Sequence, residues 1–337
     1  MSIQITILGL GRIGASAGLA LGRHSNQVER TGFDYQNAIA MQAKKIDAVD
    51  RIEVNLPDSV KQADVVVLTL PLNKVRETLK TIAPNVREGA VILDTSPAKE
   101  SVAAWVKELF PTKRYYVGIN PLLNPLYLAD QDESIESATA DLFENGSMAI
   151  AAPEGTSGEA ITLAANLSGL LGASPFFCDL AEMDGLTAFT HLLPQLVSTA
   201  LLNATLDQPG WRDGSKFAGS DYAAASSSIA GHEESASLCA AALLNKTHLL
   251  RSLEATLAAL YGLRDDIEND QGEQLESLLE HARVGRAQWW NERHKLASQA
   301  NELQSAGMPK AGDFWKQQVG FFSRLSGTRP PKREKKD

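Results

Sequence analysis

Near its start the chain reads Ile3-Gln4-Ile5-Thr6-Ile7-Leu8 and continues directly into Gly9-Leu10-Gly11-Arg12-Ile13-Gly14. The first six residues are typical of a buried strand, and the run from Ala15 to Leu21 is typical of a helix. Glycines at this spacing permit a tight turn, a close approach of the backbone to a diphosphate, and close packing of the helix on the strand. The N-terminus of the helix adds unpaired N–H groups and a positive dipole end. The stretch therefore predicts a dinucleotide-binding turn made of Gly9, Gly11, Arg12, Ile13 and Gly14.

A carboxylate follows the second predicted strand. Val28 to Phe33 leads into Asp34, about 20 residues after the last glycine, which is the spacing of the acid that binds the ribose hydroxyls of a dinucleotide. Because a carboxylate would repel a 2′-phosphate, Asp34 favours NAD over NADP. The alternative, a glycine turn that binds no ligand, is disfavoured by the strand, the helix and Asp34 together.

Composition limits the class of protein. The 337 residues are 44% hydrophobic, which predicts a globular protein of two domains. The formal net charge of −9 argues against nucleic-acid and anionic-membrane partners and favours a small-molecule substrate. We see no signal peptide and expect no apolar run of about 18 residues, the length of a membrane span. These observations predict a cytoplasmic protein.

The cysteines and histidines show no metal-binding pattern. Cys178 and Cys239 are too few for a disulfide framework and are expected to be buried thiols. The six histidines form no His-x-x-x-His or His/Cys cluster. The sequence therefore predicts no metal.

Strands alternate with helices up to about residue 180, which predicts an α/β fold with a doubly wound, mostly parallel sheet of the Rossmann type. We predict strands at Ile3–Leu8, Val28–Phe33, Val65–Leu70, Val91–Asp94, Tyr115–Ile119, Met148–Ala151 and Ser174–Cys178, and helices at about 12–22, 36–45, 73–83, 98–109, 136–143 and 157–171. Residues 1–180 are expected to form a dinucleotide-binding domain.

The second half of the sequence carries no strand pattern. Residues 181–325 are expected to form an all-helical domain for substrate binding and dimerisation, followed by a basic, disordered tail at 326–337. Helices are predicted at 182–206, 233–260, 272–304 and 311–323, with a loop rich in Gly, Ser and Ala at 208–231. The first of these helices is apolar around most of its circumference, which suits a domain core at least as well as a subunit interface.

Several stretches share the pattern of one known family. They are Ser16 beside the glycine turn, Gly32-Phe33-Asp34, Ala63-Asp64 leading to Leu70-Pro71, Asp94 to Lys99, Gly118 to Pro121, Ala152 to Thr156, Leu171-Gly172-Ala173, and Met183-Asp184 ahead of a helix with Pro194. Together they resemble the prephenate/arogenate dehydrogenase family, which makes a tyrosine precursor by oxidative decarboxylation. The resemblance implies hydride transfer from a hydroxyl-bearing carbon to NAD, a homodimer, and cofactor contacts from Leu70, Pro71, Asp94 and Thr95.

The chain departs from the family where substrate would bind. Asn120 stands where similar proteins have the histidine that accepts the hydroxyl proton, and asparagine cannot take a proton at neutral pH. Gln195 follows Pro194, where the family has a substrate-contacting histidine. The family's carboxylate-binding arginine has its nearest counterpart in the run from Phe217 to Tyr222, which contains no arginine.

Five residues are the candidates for catalysis: His191, Asn120, Ser96, Gln195 and Lys99. His191 is the candidate base, with a core histidine as the alternative. Ser96 could face the nicotinamide, and Asn120 and Gln195 would form hydrogen bonds without titrating. Lys99 could position a substrate anion or simply begin the next helix.

Three functions remain open from the sequence. The first is an NAD-dependent dehydrogenase that acts on prephenate, arogenate or a related acid. The second is an imine or keto-acid reductase with the same architecture. The third is a dinucleotide-binding sensor or assembly protein that has lost catalysis together with the family's base and arginine.

Overall fold

The computed structural model describes residues 2–230 and 235–307. An eight-stranded sheet occupies the first half of the chain, and the second half is helical. The strands are β1 (Ile3–Leu8), β2 (Val28–Phe33), β3 (Arg51–Ile52), β4 (Val65–Leu68), β5 (Val91–Asp94), β6 (Tyr115–Leu122), β7 (Ser147–Ala151) and β8 (Ser174–Phe177). The helices of the first half are α1 (Arg12–Gly22), α2 (Asn37–Lys45), α3 (Leu56–Ser59), α4 (Leu72–Ile82), α5 (Lys99–Leu109) and α6 (Gly158–Leu170).

The sheet is doubly wound around its first strand. Its order is β3-β2-β1-β4-β5-β6-β7-β8, and every neighbouring pair is parallel except β6 and β7. The strand order reverses between β2 and β4, on either side of β1, and the carboxyl ends of these strands meet at one edge. Ligands of open α/β sheets bind at such a reversal. The predicted Rossmann-type, mostly parallel sheet is thereby confirmed.

The central strands are buried on both faces because helices cover both sides. On β4, Val65 and Val67 belong to one apolar cluster, and Val66 and Leu68 belong to the other. This two-residue alternation follows from the pleat of a strand, which points successive side chains to opposite faces. An unbroken Val-Val-Val-Leu run is therefore what a strand between two helical layers requires.

In this half one predicted helix was wrong and one short strand was not predicted. The helix predicted at 136–143 is a three-residue 3₁₀ turn, Ile135–Ser137, followed by irregular chain. Side chains fix that irregular path, because Thr139 donates its N–H to Ser16 Oγ at 3.0 Å and Tyr127 donates its hydroxyl to Asp141 at 2.8 Å. Strand β3 was missed because two residues show no periodicity.

The second half contains α7 (Leu180–Thr187), α8 (Leu193–Leu206), α9 (Trp211–Gly214), α10 (Ser220–Ser226), α11 (Ser235–Leu244), α12 (Lys246–Glu268) and α13 (Gly272–Gly307). A π-helical turn, Ala188–Leu192, joins α7 to α8 into one continuous helix. The loop predicted at 208–231 instead holds α9 and α10. One helix predicted at 233–260 is two, because Asn245 interrupts it and donates its side-chain amide to Asp184 O at 2.8 Å. The helix predicted at 311–323 and the tail lie outside the described residues.

The continuous helix Leu180–Leu206 contradicts the expectation that no apolar run has the length of a membrane span. It is 27 residues long and contains an 18-residue window with a mean hydropathy of 1.2, so by length and composition alone it could span a membrane. In this fold it packs on the sheet half through Ala188 and Leu192, which are buried in the same cluster as Leu68. Its opposite face leaves Phe189 51% exposed. The cysteine prediction also needs correction, because Cys239 is exposed and Cys178 is only half-buried.

Candidate active site

The glycine turn is packed tightly against the end of β4. Gly9 has φ +97°, and a Cβ there would lie 2.6 Å from Thr69 O. A Cβ on Gly14 would lie 2.0 Å from Gly9 O. The Thr69 hydroxyl donates to Gly9 O at 2.6 Å and ties the turn to the neighbouring strand. Neither glycine position has room for a side chain, so the turn holds one shape.

Asp34 lies at the carboxyl end of β2 and faces this turn. Its Oδ2 accepts a hydrogen bond from Leu10 N at 2.8 Å, and its Oδ1 accepts one from Gln36 N at 2.8 Å. A carboxylate has about four lone-pair positions, so two remain for further donors. The side chain is half-buried, and it is held in place by the backbone of both neighbouring segments.

A cleft of ≈ 310 Å³ lies between this edge of the sheet and the helical half. Eleven of the residues predicted from the sequence line it: Gly9, Gly11, Arg12, Ile13, Asp34, Leu70, Pro71, Thr95, Ser96, His191 and Gln195. The first half supplies the turn and the strand ends, and the continuous helix supplies the last two. The glycine turn and the candidate catalytic side chains therefore share one cavity.

Two hydroxyls follow β5 at the inner end of the cleft. Ser96 donates its hydroxyl to Asp94 Oδ2 at 2.7 Å, and Thr95 donates its hydroxyl to Leu68 O at 2.9 Å. Because each proton is already engaged, each oxygen is left as an acceptor toward the cleft. Asp94 itself is fully buried and lies behind Ser96.

His191 and Gln195 face the cleft from the helical half. Pro194 has no N–H to donate into the preceding turn, and the chain there widens into the π-helical turn that carries His191. Gln195 donates its amide to His191 O at 3.0 Å, and its Nε2 lies 3.4 Å from His191 Nε2. Gln195 is 3% exposed, and its buried Oε1 has no hydrogen-bond partner within the described part of the chain. The described residues leave that oxygen without the hydrogen bond that a buried acceptor normally forms.

Lys99 lies beneath the cleft. Its side chain is 1% exposed, and its ammonium donates to Asp94 O at 2.6 Å and to Ile119 O at 2.8 Å. Burial lowers the pKa of Lys99, although Asp94 and Asp184 oppose the shift. Lys99 also begins α5, where its N–H donates to Asp184 Oδ1 at 2.6 Å. In this position it joins β5 to β6 and does not line the cleft.

The structure places other sequence candidates outside the cavity. Asn120 is half-buried on β6 opposite Ala149, and it is not one of the described residues that line the cleft. Phe217 is 90% exposed, ahead of α10. A further set of lining residues was not predicted from the sequence: Tyr35, Lys74, Asp130, Glu133, Ser134, Ser237 and Leu238. Of this set, only Asp130 and Glu133 belong to a recognisable pattern, the acidic run at 130–133. The position of that run in the fold depends on tertiary packing, so the sequence does not show that it lies at the cleft.

Comparison with known proteins agrees with this architecture. Residues 17–175 match the family model for the nucleotide-binding domain of prephenate dehydrogenase. The chain is 24% identical to a prephenate dehydrogenase of Bacillus subtilis over 61% of its own length, and 24% identical to a cyclohexadienyl dehydrogenase of Zymomonas mobilis over 59%. These matches span 54% and 66% of the length of those two relatives.

Solved structures show the same fold over most of the chain. The arogenate dehydrogenase of Synechocystis superposes with a TM-score of 0.66 and 24% identity, covering 85% of this chain and 100% of that one. The prephenate dehydrogenase of Aquifex aeolicus, in complex with hydroxyphenyl propionate and NAD+, superposes with a TM-score of 0.74 and 19% identity, covering 86% and 98%. The nucleotide-binding half of the chain is therefore similar to that domain of the prephenate dehydrogenases, and most of the chain shares their fold.

Proposed function

We propose that the chain is an NAD-dependent oxidoreductase of the prephenate/arogenate dehydrogenase type. It would move hydride from a hydroxyl-bearing carbon to the cofactor, with decarboxylation where the substrate is prephenate-like, and so serve tyrosine biosynthesis. One observation carries the proposal: Asp34 and the glycine turn share a single cleft with Ser96, His191 and Gln195.

The residues present suit a dinucleotide. Gly9 and Gly14 fix the shape of the turn, Gly11 leaves the backbone between them without a side chain that could obstruct a diphosphate, and the N-terminus of α1 lies beside the turn. Asp34 retains acceptor positions for ribose hydroxyls, and its charge favours NAD over NADP. When bound, NAD supplies a nicotinamide ring that accepts a hydride. Binding of NAD+ by the Aquifex aeolicus neighbour supports this assignment.

His191 is the proposed proton acceptor. Among the residues that the structure describes, it is the histidine that lines the cleft, and Gln195 fixes the backbone of its turn through the bond to His191 O. Ser96 would orient the substrate hydroxyl, because its oxygen is left as an acceptor. Asn120 cannot replace the base, since an amide does not take a proton at neutral pH.

The exposed apolar surface supports a homodimer. Phe177 on edge strand β8 is 62% exposed and Phe189 on the continuous helix is 51% exposed. The hairpin of α12 and α13 leaves Leu260, Tyr261 and Leu279 more than half exposed. Surfaces of this kind mark interaction sites, and we propose a second copy of the chain as the partner. We also propose a cytoplasmic location, in keeping with the net charge of −9.

One observation favours a second candidate, an imine reductase. The unpartnered Oε1 of Gln195 would accept a hydrogen bond from the N–H of an iminium or amine substrate. The absence of a histidine at position 120 is also consistent with chemistry other than hydroxyl oxidation.

Turnover assays distinguish these functions. Purified protein is incubated with NAD and prephenate, arogenate or other hydroxy acids, and with NADH and a panel of keto acids and imines, while NADH absorbance is followed. We expect NADH to form with a prephenate-like acid. Consumption of NADH with an imine would instead select the reductase. NADH binding without any turnover would favour the sensor.

The role of His191 has its own test. His191→Ala is expected to lower kcat about 100-fold or more and to remove a pKa from the pH profile. His281→Ala, an exposed histidine on α13, is the control and should leave both unchanged. Retained turnover of His191→Ala with an unaltered pH profile would exclude His191 as the base.

A further inference from the structure

The connection between β6 and β7 lies across the N-terminus of α1. We call residues 128–134, Leu-Ala-Asp-Gln-Asp-Glu-Ser, the acidic strap. Asp130, Glu133 and Ser134 line the same cleft as the glycine turn. The strap brings three carboxylates, those of Asp130, Asp132 and Glu133, to the end of the sheet where an anionic diphosphate would lie.

Arg12 holds the strap by three bonds. Its Nη2 lies 2.8 Å from Asp130 Oδ2, and its Nη1 donates to Asp132 O at 2.8 Å. Its backbone N–H, the first of α1, donates to Glu133 O at 3.2 Å. The Arg12 side chain is 4% exposed. Both the side chain and the backbone N–H of Arg12 are therefore bonded to the strap.

The strap is ordered by its own hydrogen bonds. Asp132 N donates to Asp130 Oδ1 at 3.0 Å, and Ser134 N donates to Asp132 Oδ1 at 2.8 Å. Ser137 adds a bond from its hydroxyl to Asp132 O at 2.8 Å. These bonds hold the carboxylate of Asp130 in position for Arg12.

This arrangement competes with a diphosphate. The first N–H groups of a helix are the donors that a phosphate uses, and here Glu133 O already takes the N–H of Arg12. The nearby carboxylates repel an anion. Arg12 Nε is buried without a hydrogen-bond partner among the residues that the structure describes, so the guanidinium has a donor to spare.

We propose that the acidic strap is a self-inhibitory lid over the diphosphate position, latched by the Arg12–Asp130 ion pair. Opening the lid frees the N–H and the guanidinium of Arg12, which then pair with the diphosphate in place of Asp130. The proposal rests on the dinucleotide cofactor proposed above. Because only the open form binds, the apparent affinity is reduced by the fraction of molecules that is open.

The test compares two variants of the strap, each of which removes one negative charge. Asp130→Asn removes the carboxylate that pairs with Arg12. Asp132→Asn is the matched control, because it removes the same charge from the same strap, while the Asp132 carboxylate contacts Ser134 N and only its carbonyl contacts Arg12. Dissociation constants for NADH are measured by fluorescence titration of the full-length protein. We expect Asp130→Asn to bind about fivefold more tightly and Asp132→Asn to change by less than about twofold.

Amide hydrogen exchange gives a second readout. Adding NADH to the wild-type protein is expected to speed exchange in residues 128–134, because the strap must lift. Slower exchange there would show that the strap closes over the cofactor and would overturn the proposal. Equal tightening by both variants would also overturn it, because general repulsion would then explain the effect without a latch.

The same binding measurements distinguish a wrong cofactor proposal from a wrong lid proposal. If no variant binds NADH or NADPH, both the proposed function and the lid are wrong. If the wild type binds and Asp130→Asn binds no more tightly, only the lid is wrong. Binding by Asp130→Asn alone would be the strongest support for the latch.

Discussion

Replacing Lys99 with methionine should destabilise the whole protein, because this buried ammonium joins two central strands. Lys99→Met removes bonds of 2.6 and 2.8 Å to Asp94 O and Ile119 O, and it leaves the Asp94 carboxylate, 3.7 Å from the ammonium, without that counter-charge. Breaking a buried pair costs about 3–5 kcal/mol. Methionine carries no charge, so the variant avoids the cost of burying an ammonium, which is also what lowers the pKa of Lys99. We therefore expect a loss of unfolding free energy at the lower end of that range, about 3 kcal/mol.

Equilibrium unfolding in urea measures this loss directly. Lys113→Met is the control, because Lys113 forms its ion pair with Glu88 at the surface with 64% of its side chain exposed. We expect the control to match the wild type. A Lys99→Met protein that loses less than about 1 kcal/mol would refute the reasoning, because the two carbonyls would then have found other partners at no cost.

Three further outcomes are expected. Asp34→Ala should weaken NADH binding about tenfold and reduce discrimination against NADPH in fluorescence titrations, and an unchanged preference would remove Asp34 from its proposed role. Burial raises the pKa of Asp50, but hydrogen bonds from Arg30 outweigh it and hold the pKa below its ordinary value of 3.8. The stability that this pair contributes is therefore present above pH 3.8, so the difference in unfolding free energy between wild type and Asp50→Asn should shrink as pH falls through the lowered pKa. With a thiol reagent, exposed Cys239 should react faster than Cys178, whose thiol has a pKa raised by burial, and a Cys239→Ser protein should lose the fast phase.

Local patterns determined most of what could be predicted. The strand, glycine turn and helix from Ile3 to Leu21 form a contiguous unit, and the buried Val-Val-Val-Leu run of β4 needs no distant information to identify it. The doubly wound sheet follows from repeating such units. The cofactor end of the cleft was predictable for the same reason, since its residues lie close together in sequence.

The remaining features depend on contacts between distant segments. Helix 233–260 splits at Asn245 because its amide reaches Asp184, far earlier in the chain. The structural role of Lys99 depends on Ile119, a residue of another strand whose carbonyl accepts a hydrogen bond from the Lys99 ammonium. The acidic strap lacks periodicity altogether, and its three bonds to the distant Arg12 place it over the glycine turn.

The π-helical turn at Ala188–Leu192 sets the angular phase between the two parts of the long helix. An extra residue in one turn rotates everything downstream by about 100° relative to an uninterrupted α-helix. Deleting a single residue within this turn would make the backbone more regular, yet it would swing Gln195 out of the cavity and redirect the apolar face of α8. A length change of one residue here would therefore alter ligand recognition and subunit contact together.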